Sequence, residues 1–326
     1  MNKKESNITI FLIMMASLIF CVPNENNLIG KIVNSNNNET ISVDKLIDIM
    51  KYTDVIYLGE KHDNIDHHKH QIEIIKLLIS EGNKPVIGFE FFYQHQTSDL
   101  MKYINGIKSP FQHGEENPEK DEEKLREKLG WKHKTDEDWN FYFELVNLAK
   151  ENKLTVFGAD LPKGIVSRIS REGLNSLTPV ELNQLSFTNY IDTNYQKLMV
   201  KKFKDSHCGW VPKDNFEKLY HTWVARNDAM AKAITMTAKN NNNPVILIVG
   251  GGHIEHNMGV FERVNYLNPN LNQLNLGFKE ISIEESELKD YYNSTIINDH
   301  KYLPLHEYYW FTDRKDDKDP CEGFKF

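Results

Sequence analysis

The sequence predicts an α/β fold with a mostly parallel central sheet, flanked by helices and carrying an inserted helical subdomain. Three observations lead there. Four short runs, residues 55–58, 86–89, 154–157 and 245–249, are apolar at successive rather than alternate positions, as strands buried on both faces of a parallel sheet are. Segments with helical spacing separate them, and strand alternating with helix marks a doubly wound sheet. Residues 162–238 hold no convincing strand pattern, so they read as a helical insertion between the third and fourth strands.

In chain order, Lys3 and Lys4 precede an apolar run over residues 8–20, and Cys21 follows directly. Roughly a dozen apolar residues suit a secretory signal and fall short of the ~20 of a membrane-spanning helix. A cysteine at that point resembles the lipid-attachment residue of a bacterial lipobox, here Leu18-Ile19-Phe20-Cys21. Residues 1–21 are therefore expected to be a lipoprotein signal peptide. Phe20 departs from the small residue usual there, and a cleaved soluble signal or an uncleaved anchor are the alternatives. Residues 22–44, rich in asparagine from Asn24 on, read as a flexible tether, and residues 45–326 as the folded domain.

Within that domain, Ile72, Ile75 and Ile79 predict a helix over 67–80 that stops at Gly82. Phe141, Leu145 and Leu148 predict another over 138–151. In the insertion, Ile165, Ile169 and Leu174 suggest a helix, and Thr178-Pro179 with Glu181 starts a second. A long helix over 212–238 turns Leu219, Trp223, Met230 and Ile234 inward. At 326 residues and 40% hydrophobic content the chain fills one sizeable core, and a net charge of −8 leaves no broad basic face for nucleic acid.

The chemistry collects where the apolar runs end. The first is followed by Gly59-Glu60-Lys61-His62-Asp63, the second by Glu90, the third by Asp160, and the fourth by three glycines and His253. Parallel strands finish on one edge, and open α/β sheets bind ligands outside that edge. Glu60, His62, Glu90 and His253 are thus expected to share a rim pocket, suited to a borderline metal or to acid–base work. Each group has a plainer reading: glycines for tight turns, a solvated histidine, Asp160 capping the next helix. His67, His68 and His70 read chiefly as an exposed first helical turn, with a supporting metal role as the alternative. His207-Cys208 is tempting as a nucleophile pair. However, adjacent side chains rarely face each other, and an exported setting favours a Cys208–Cys321 disulfide over two independent thiols. The G-x-G-x-x-G of nucleotide sites is absent.

Several stretches then fall into a known pattern. Residues 55–68 read V-I-Y-L-G-E-K-H-D-N-I-D-H-H, and residues 88–92 read G-F-E-F-F with Gln96 downstream. Trp139 with Tyr142, residues 158–162, His207-Cys208-Gly209 and Arg226 to Ala231 follow. Gly252-His253 with Gly259-Val260, and the endings 309–312 and 319–322, complete the set. Together they resemble the ChaN-like haem-binding uptake lipoproteins of the Tiki superfamily. Lys163 stands where that pattern has Arg, and Asn227 where it has Asp, so a fixed charge is lost at 227.

The resemblance implies haem or iron binding for iron acquisition, on a lipoprotein of the cell envelope, expected at the outer membrane. It also implies tyrosine ligation of haem at a dimer interface, which makes Tyr190, Tyr195 and Tyr220 candidate axial ligands and a homodimer a candidate assembly. Asp63, His67, Asp160 and Arg226 are candidates to support the rim. More distant superfamily members are metal-dependent peptidases and erythromycin-esterase-like hydrolases. They imply the alternative of a divalent transition metal on His62, His253 and a carboxylate, with Glu60 or Glu90 activating water. A surface adhesin on an inherited fold is a third reading.

Overall fold

The computed structural model describes residues 27–107, 118–185, 193–206, 208, 215–240, 243–282, 287–292, 295–297, 299–316 and 321–322. The expected signal peptide with Cys21, and also Tyr190 and His207, lie outside them. Ten strands occur among the described residues: β1 (Ile32–Asn34), β2 (Glu39–Ile41), β3 (Val55–Glu60), β4 (Val86–Tyr93), β5 (Val156–Asp160), β6 (Val245–Gly250), β7 (Gln273–Glu280), β8 (Ile296–Ile297), β9 (His300–Lys301) and β10 (Tyr308–Thr312). Eight form one sheet in the order β2-β1-β10-β7-β3-β6-β4-β5, and β8 pairs with β9 apart from it. From β10 to β5 every pairing in this sheet is parallel, and only β1 runs against the rest, antiparallel to both β10 and β2.

The successive apolar residues of the central strands divide between two faces, because side chains alternate along a strand. Ile56 and Leu58 of β3, with Ile246 and Ile248 of β6, enter one core. Val55 and Tyr57, with Val245, Leu247 and Val249, enter the other. The first core is covered by α1 (Val43–Met50), α2 (Ile65–Ser80), α3 (Thr97–Ile104), α4 (Pro118–Lys128) and α5 (Asp136–Glu151).

Between β5 and β6 come α6 (Lys163–Glu172), α7 (Pro179–Gln184), α8 (Thr193–Ser206) and α9 (Phe216–Lys239), with no strand among the described residues there. Thr178 and Glu181 close the reciprocal cap that starts α7, each side chain accepting the other's backbone N–H. The long helix begins at Phe216 rather than at 212, and Met230 and Ile234 pack with α10 (Val260–Leu267) on the second face of the sheet. A short α11 (Leu288–Tyr291) follows β7.

Three expectations change. From residue 27 on, the stretch expected as a tether over 22–44 is built into the domain: Ile32 and Val33 of β1 are buried, and β1 and β2 form an edge hairpin that leads into α1. Asparagines make its turn, Asn38 at φ 60, while Asn34 and Asn37 accept the N–H of residues two further on. Local polarity thus marked a turn. The third strand starts at Val156, two residues late, and β7 and β10 extend the sheet beyond the four runs seen in the sequence. Cys208 and Cys321 are disulfide-bonded with Cα atoms 5.5 Å apart, tying the end of the chain to the segment before α9.

Candidate functional site

The C-terminal ends of β3, β4 and β6 border a cavity of about 780 Å³, and Glu60, His62, Glu90, Arg226, His253 and His306 line it. Glu60 is the last residue of β3 and fully enclosed. The Tyr142 hydroxyl donates to its Oε1 at 2.6 Å and the Gln71 amide to its Oε2 at 2.5 Å. Burial pushes the carboxyl up. The hydrogen bond from His62 and the nearby His68 ring outweigh it, so Glu60 titrates below its usual range. An ionised carboxylate only accepts, so at 3.2 Å the Nδ1–H of His62 is the donor and a neutral His62 keeps its lone pair on Nε2. Among the described residues nothing bonds that nitrogen, and the side chain is 57% exposed. Burial alone lowers the His62 pKa, but Glu60 and the Glu90 charge raise it above the ordinary value.

The His62 ring rests on Gly250, where a Cβ would come within 2.6 Å of its Cε1. The Gly250 N–H donates to Glu90 Oε2 at 2.7 Å, and His253 Nε2 lies 3.1 Å from Glu90 Oε1. The two histidines expected to converge therefore meet around one glycine and one carboxylate. His253 stacks on Trp223 at 3.9 Å, and its Nδ1 lies 2.6 Å from the Asn227 carboxamide. Burial lowers its pKa despite Glu90. Asn227 is uncharged where the family pattern has Asp, so it adds no second charge behind the ring to oppose that effect.

Arg226 bridges the carboxylates. Its Nη2 is 2.7 Å from both Glu90 Oε1 and Asp160 Oδ2, and its Nε donates to Asp160 at 2.9 Å. Burial opposes ionisation of Glu90, but His253 and this guanidinium hold it well below the usual range, whereas burial leaves Asp160 raised. Asp160 also accepts from the Leu161 N–H, so its capping role and its ion pair coexist.

The divalent-metal set expected from His62, His253 and a carboxylate is not assembled: among the described residues no three His, Cys, Asp or Glu side chains are grouped to hold a metal ion. The donors are otherwise engaged. Glu90 faces a guanidinium and an amide N–H, Glu60 faces two hydrogen-bond donors besides His62, and both nitrogens of His253 are in contact with neighbours. Arg226 occupies the cationic position between the carboxylates.

Other expected residues divide. His67 is buried, not exposed; it accepts from Lys61 N–H through Nδ1 and meets Thr312 Oγ1 through Nε2, and burial takes its pKa down to about 4. His68 is also buried, stacked on Phe141 at 4.2 Å, and only His70 reaches the surface. Asp63 pairs with Lys315 and Lys61 outside the cavity. Tyr195 and Tyr220 are 3% and 4% exposed, packed between α8 and α9 with Val224 and Tyr302, so neither offers a surface phenol. Three cavity residues escaped sequence reasoning. Glu255 is paired with Lys202 from α8, and His306 precedes a strand rather than following one. Lys279 sits at the end of β7, a strand whose alternating polar residues hid it.

Against this geometry, the family model described as haem-binding uptake, Tiki superfamily, ChaN matches residues 46–264. The chain belongs to that family. The ChaN of Campylobacter jejuni, solved with cofacial haem binding, superposes with a TM-score of 0.62 at 19% identity, covering 86% of this chain and 95% of that one. A mutant of the erythromycin esterase EreC, in its open conformation, covers 72% of each chain at 12% identity and a TM-score of 0.42. The type III effector HopBA1 gives 0.39 at 14% identity over 83% of this chain and 93% of its own. No curated protein sequence matches the chain.

Proposed function

We propose that this protein is a lipid-anchored envelope protein that binds haem as cargo, with the cargo iron facing His62 in the rim cavity. The Glu60–His62 pair carries the reading. A carboxylate behind an imidazole fixes the ring and strengthens it as a ligand, and the nitrogen it leaves open borders the cavity. Imidazole is an axial ligand that haem iron accepts. A cavity of about 780 Å³ falls in the range of cofactor pockets. Phe203, Trp223 and Phe278 on its wall suit a flat apolar macrocycle, and Lys279 suits its carboxylates. Membership of a haem-binding family and the haem-bound Campylobacter relative support the cargo. The lysine pair, apolar run and Cys21 of the N-terminus support the anchor and an outer-membrane setting.

The test is a haemin titration of the purified chain followed by its Soret band. A saturable band is expected, weakened at least tenfold by His62→Ala and unchanged by Tyr190→Phe. The opposite pattern moves the iron to a phenolate and removes the rim site; no band at all removes haem. Light scattering during the titration reports any homodimer. Cys21→Ser is expected to shift the protein from the membrane to the soluble fraction.

A further inference from the structure

The first described residues of the chain enter the fold at the rim edge of the sheet. β1 runs antiparallel to β10, with Ile32 opposite Trp310, so the turn before β1 lies beside the C-terminal end of β10. Two hydrogen bonds hold it there: the Gly30 N–H donates to the Phe311 carbonyl at 2.8 Å, and the Phe311 N–H to the Lys31 carbonyl at 3.0 Å. Phe311 is in turn opposite Lys279 of β7, and the Ile281 N–H donates to the Thr312 carbonyl at 3.0 Å. Lys279, Glu280, Ile281 and Ser282 all line the rim cavity. Leu28, only 5% exposed, joins Ile281 and Phe311 in one apolar cluster. With neighbouring strands about 4.8 Å apart, Lys31 stands roughly 10 Å from Lys279 and roughly 15 Å from the end of β3.

The chain upstream of this turn is short. Only residues 22–26 separate Cys21 from Asn27, and the six Cα steps between them span at most about 21 Å in any conformation. A domain of this length is about 50 Å across, from a radius of gyration of about 20 Å. The opposite edge of the sheet, where β3, β4 and β6 begin at Val55, Val86 and Val245, lies one strand length farther away, about 20 Å for β3. A lipid on Cys21 can therefore lie against the rim edge but cannot reach around the domain to the opposite one. Ile29, next to the buried Leu28, is 41% exposed and adds apolar surface where the chain comes in.

We propose that the rim edge is the membrane-facing side of the protein, so that the cavity opens toward the bilayer surface holding the Cys21 lipid. The proposal rests on the lipid-anchor reading above and goes beyond it, because an anchor alone selects no side of a domain. A long flexible linker leaves every orientation open, whereas a reach of about 21 Å confines the attached edge to the lipid surface. The mouth of the cavity then lies within reach of cargo carried in the bilayer.

The test places the full-length lipidated protein in phosphatidylcholine–phosphatidylglycerol vesicles whose headgroups carry an energy-transfer acceptor. With Cys21 acylated and Cys208 bonded to Cys321, an introduced thiol takes the donor selectively. The donor sits either at Lys61→Cys, just after β3 at the rim, or at Lys84→Cys, an exposed position before β4 at the opposite edge, and each variant is checked by its melting temperature. Transfer from position 61 is expected to be at least twofold stronger than from position 84. Equal transfer, or stronger transfer from 84, overturns the proposal. Inserting 30 Gly/Ser residues between Asn26 and Asn27 adds an extended reach of about 100 Å, longer than the domain, and is expected to abolish the difference. A difference that survives the insertion removes the short tether as its cause and also overturns the proposal. Wild-type protein that carries no lipid on Cys21 by mass spectrometry overturns the anchor reading itself, a distinguishable failure.

Discussion

Replacing Arg226 by methionine tests the charge arrangement at the centre of the site. Glu90 and Asp160 are each 4% exposed and share this one guanidinium, which meets both at 2.7 Å. Methionine keeps most of the stem's volume but leaves two buried carboxylates without a counter-charge. Removing one partner of a buried ion pair costs about 3–5 kcal/mol, and Arg226, with its side chain 25% exposed, belongs near the lower end. Against a typical total stability of about 5–15 kcal/mol, that is a large fraction. At roughly 2–4 °C per kcal/mol it lowers the melting temperature by about 10 °C.

The decisive arm is the rescue. Adding Glu90→Gln and Asp160→Asn removes the charges that needed Arg226, while the amide oxygens still accept from the Gly250 and Leu161 N–H groups. The triple variant is therefore expected to regain most of the loss in urea denaturation with the disulfide intact. A single variant within about 1 kcal/mol of the wild type, or a triple variant no better than the single, refutes the argument.

Three further outcomes follow from the same geometry. Gly250→Ala places a Cβ 2.6 Å from His62 Cε1 and 3.4 Å from Glu90 Oε2, so the half-exposed ring swings off Glu60; haemin affinity is expected to fall at least tenfold with little change in melting temperature, and unchanged affinity contradicts the contact. His67 and His306 titrate near 4 and 3 in the folded chain but near 6.5 when unfolded, so below 6.5 the unfolded state takes up protons first and stability falls with pH. At pH 5 each costs about 2 kcal/mol, and a urea midpoint that stays flat from pH 7 to 5 rules this out. Reducing Cys208–Cys321, which closes a loop of 113 residues, is expected to lower stability by roughly 4–5 kcal/mol on a chain-entropy account, read as a drop in melting temperature on adding dithiothreitol.

The fold was legible where burial was symmetrical. Strands covered on both faces are apolar at every position, so β3 and β6 stand out in the sequence. The strand β7 did not stand out, because Gln273, Asn275, Lys279 and Glu280 make it look like a surface segment. Asn275 is nevertheless fully buried, its polar atoms consumed by Ile254, Asn257 and His306. A buried amide satisfied by residues 18 and 31 positions away leaves no local trace, whereas the Asn-rich turn left one, its local polarity, which was read as a tether.

For the site, the rule that parallel strands end on one edge brought together Glu60, His62, Glu90 and His253 without any coordinates. What it did not yield was the sign of the arrangement. Four ionisable residues at one edge are equally consistent with a metal awaiting its ligands and with a network already neutralised. The choice depends on a group from a different element, Arg226 on α9, 136 positions from Glu90. Once that guanidinium lies between the carboxylates, a divalent ion placed there meets like charge and donors already committed to other partners. The lone pair left open to the cavity belongs to an imidazole rather than to a carboxylate. A rim whose anionic groups are balanced internally and whose free lone pair is neutral suits an iron porphyrin, which brings its own four nitrogens and needs only an axial ligand, better than a bare divalent cation that needs the carboxylates themselves.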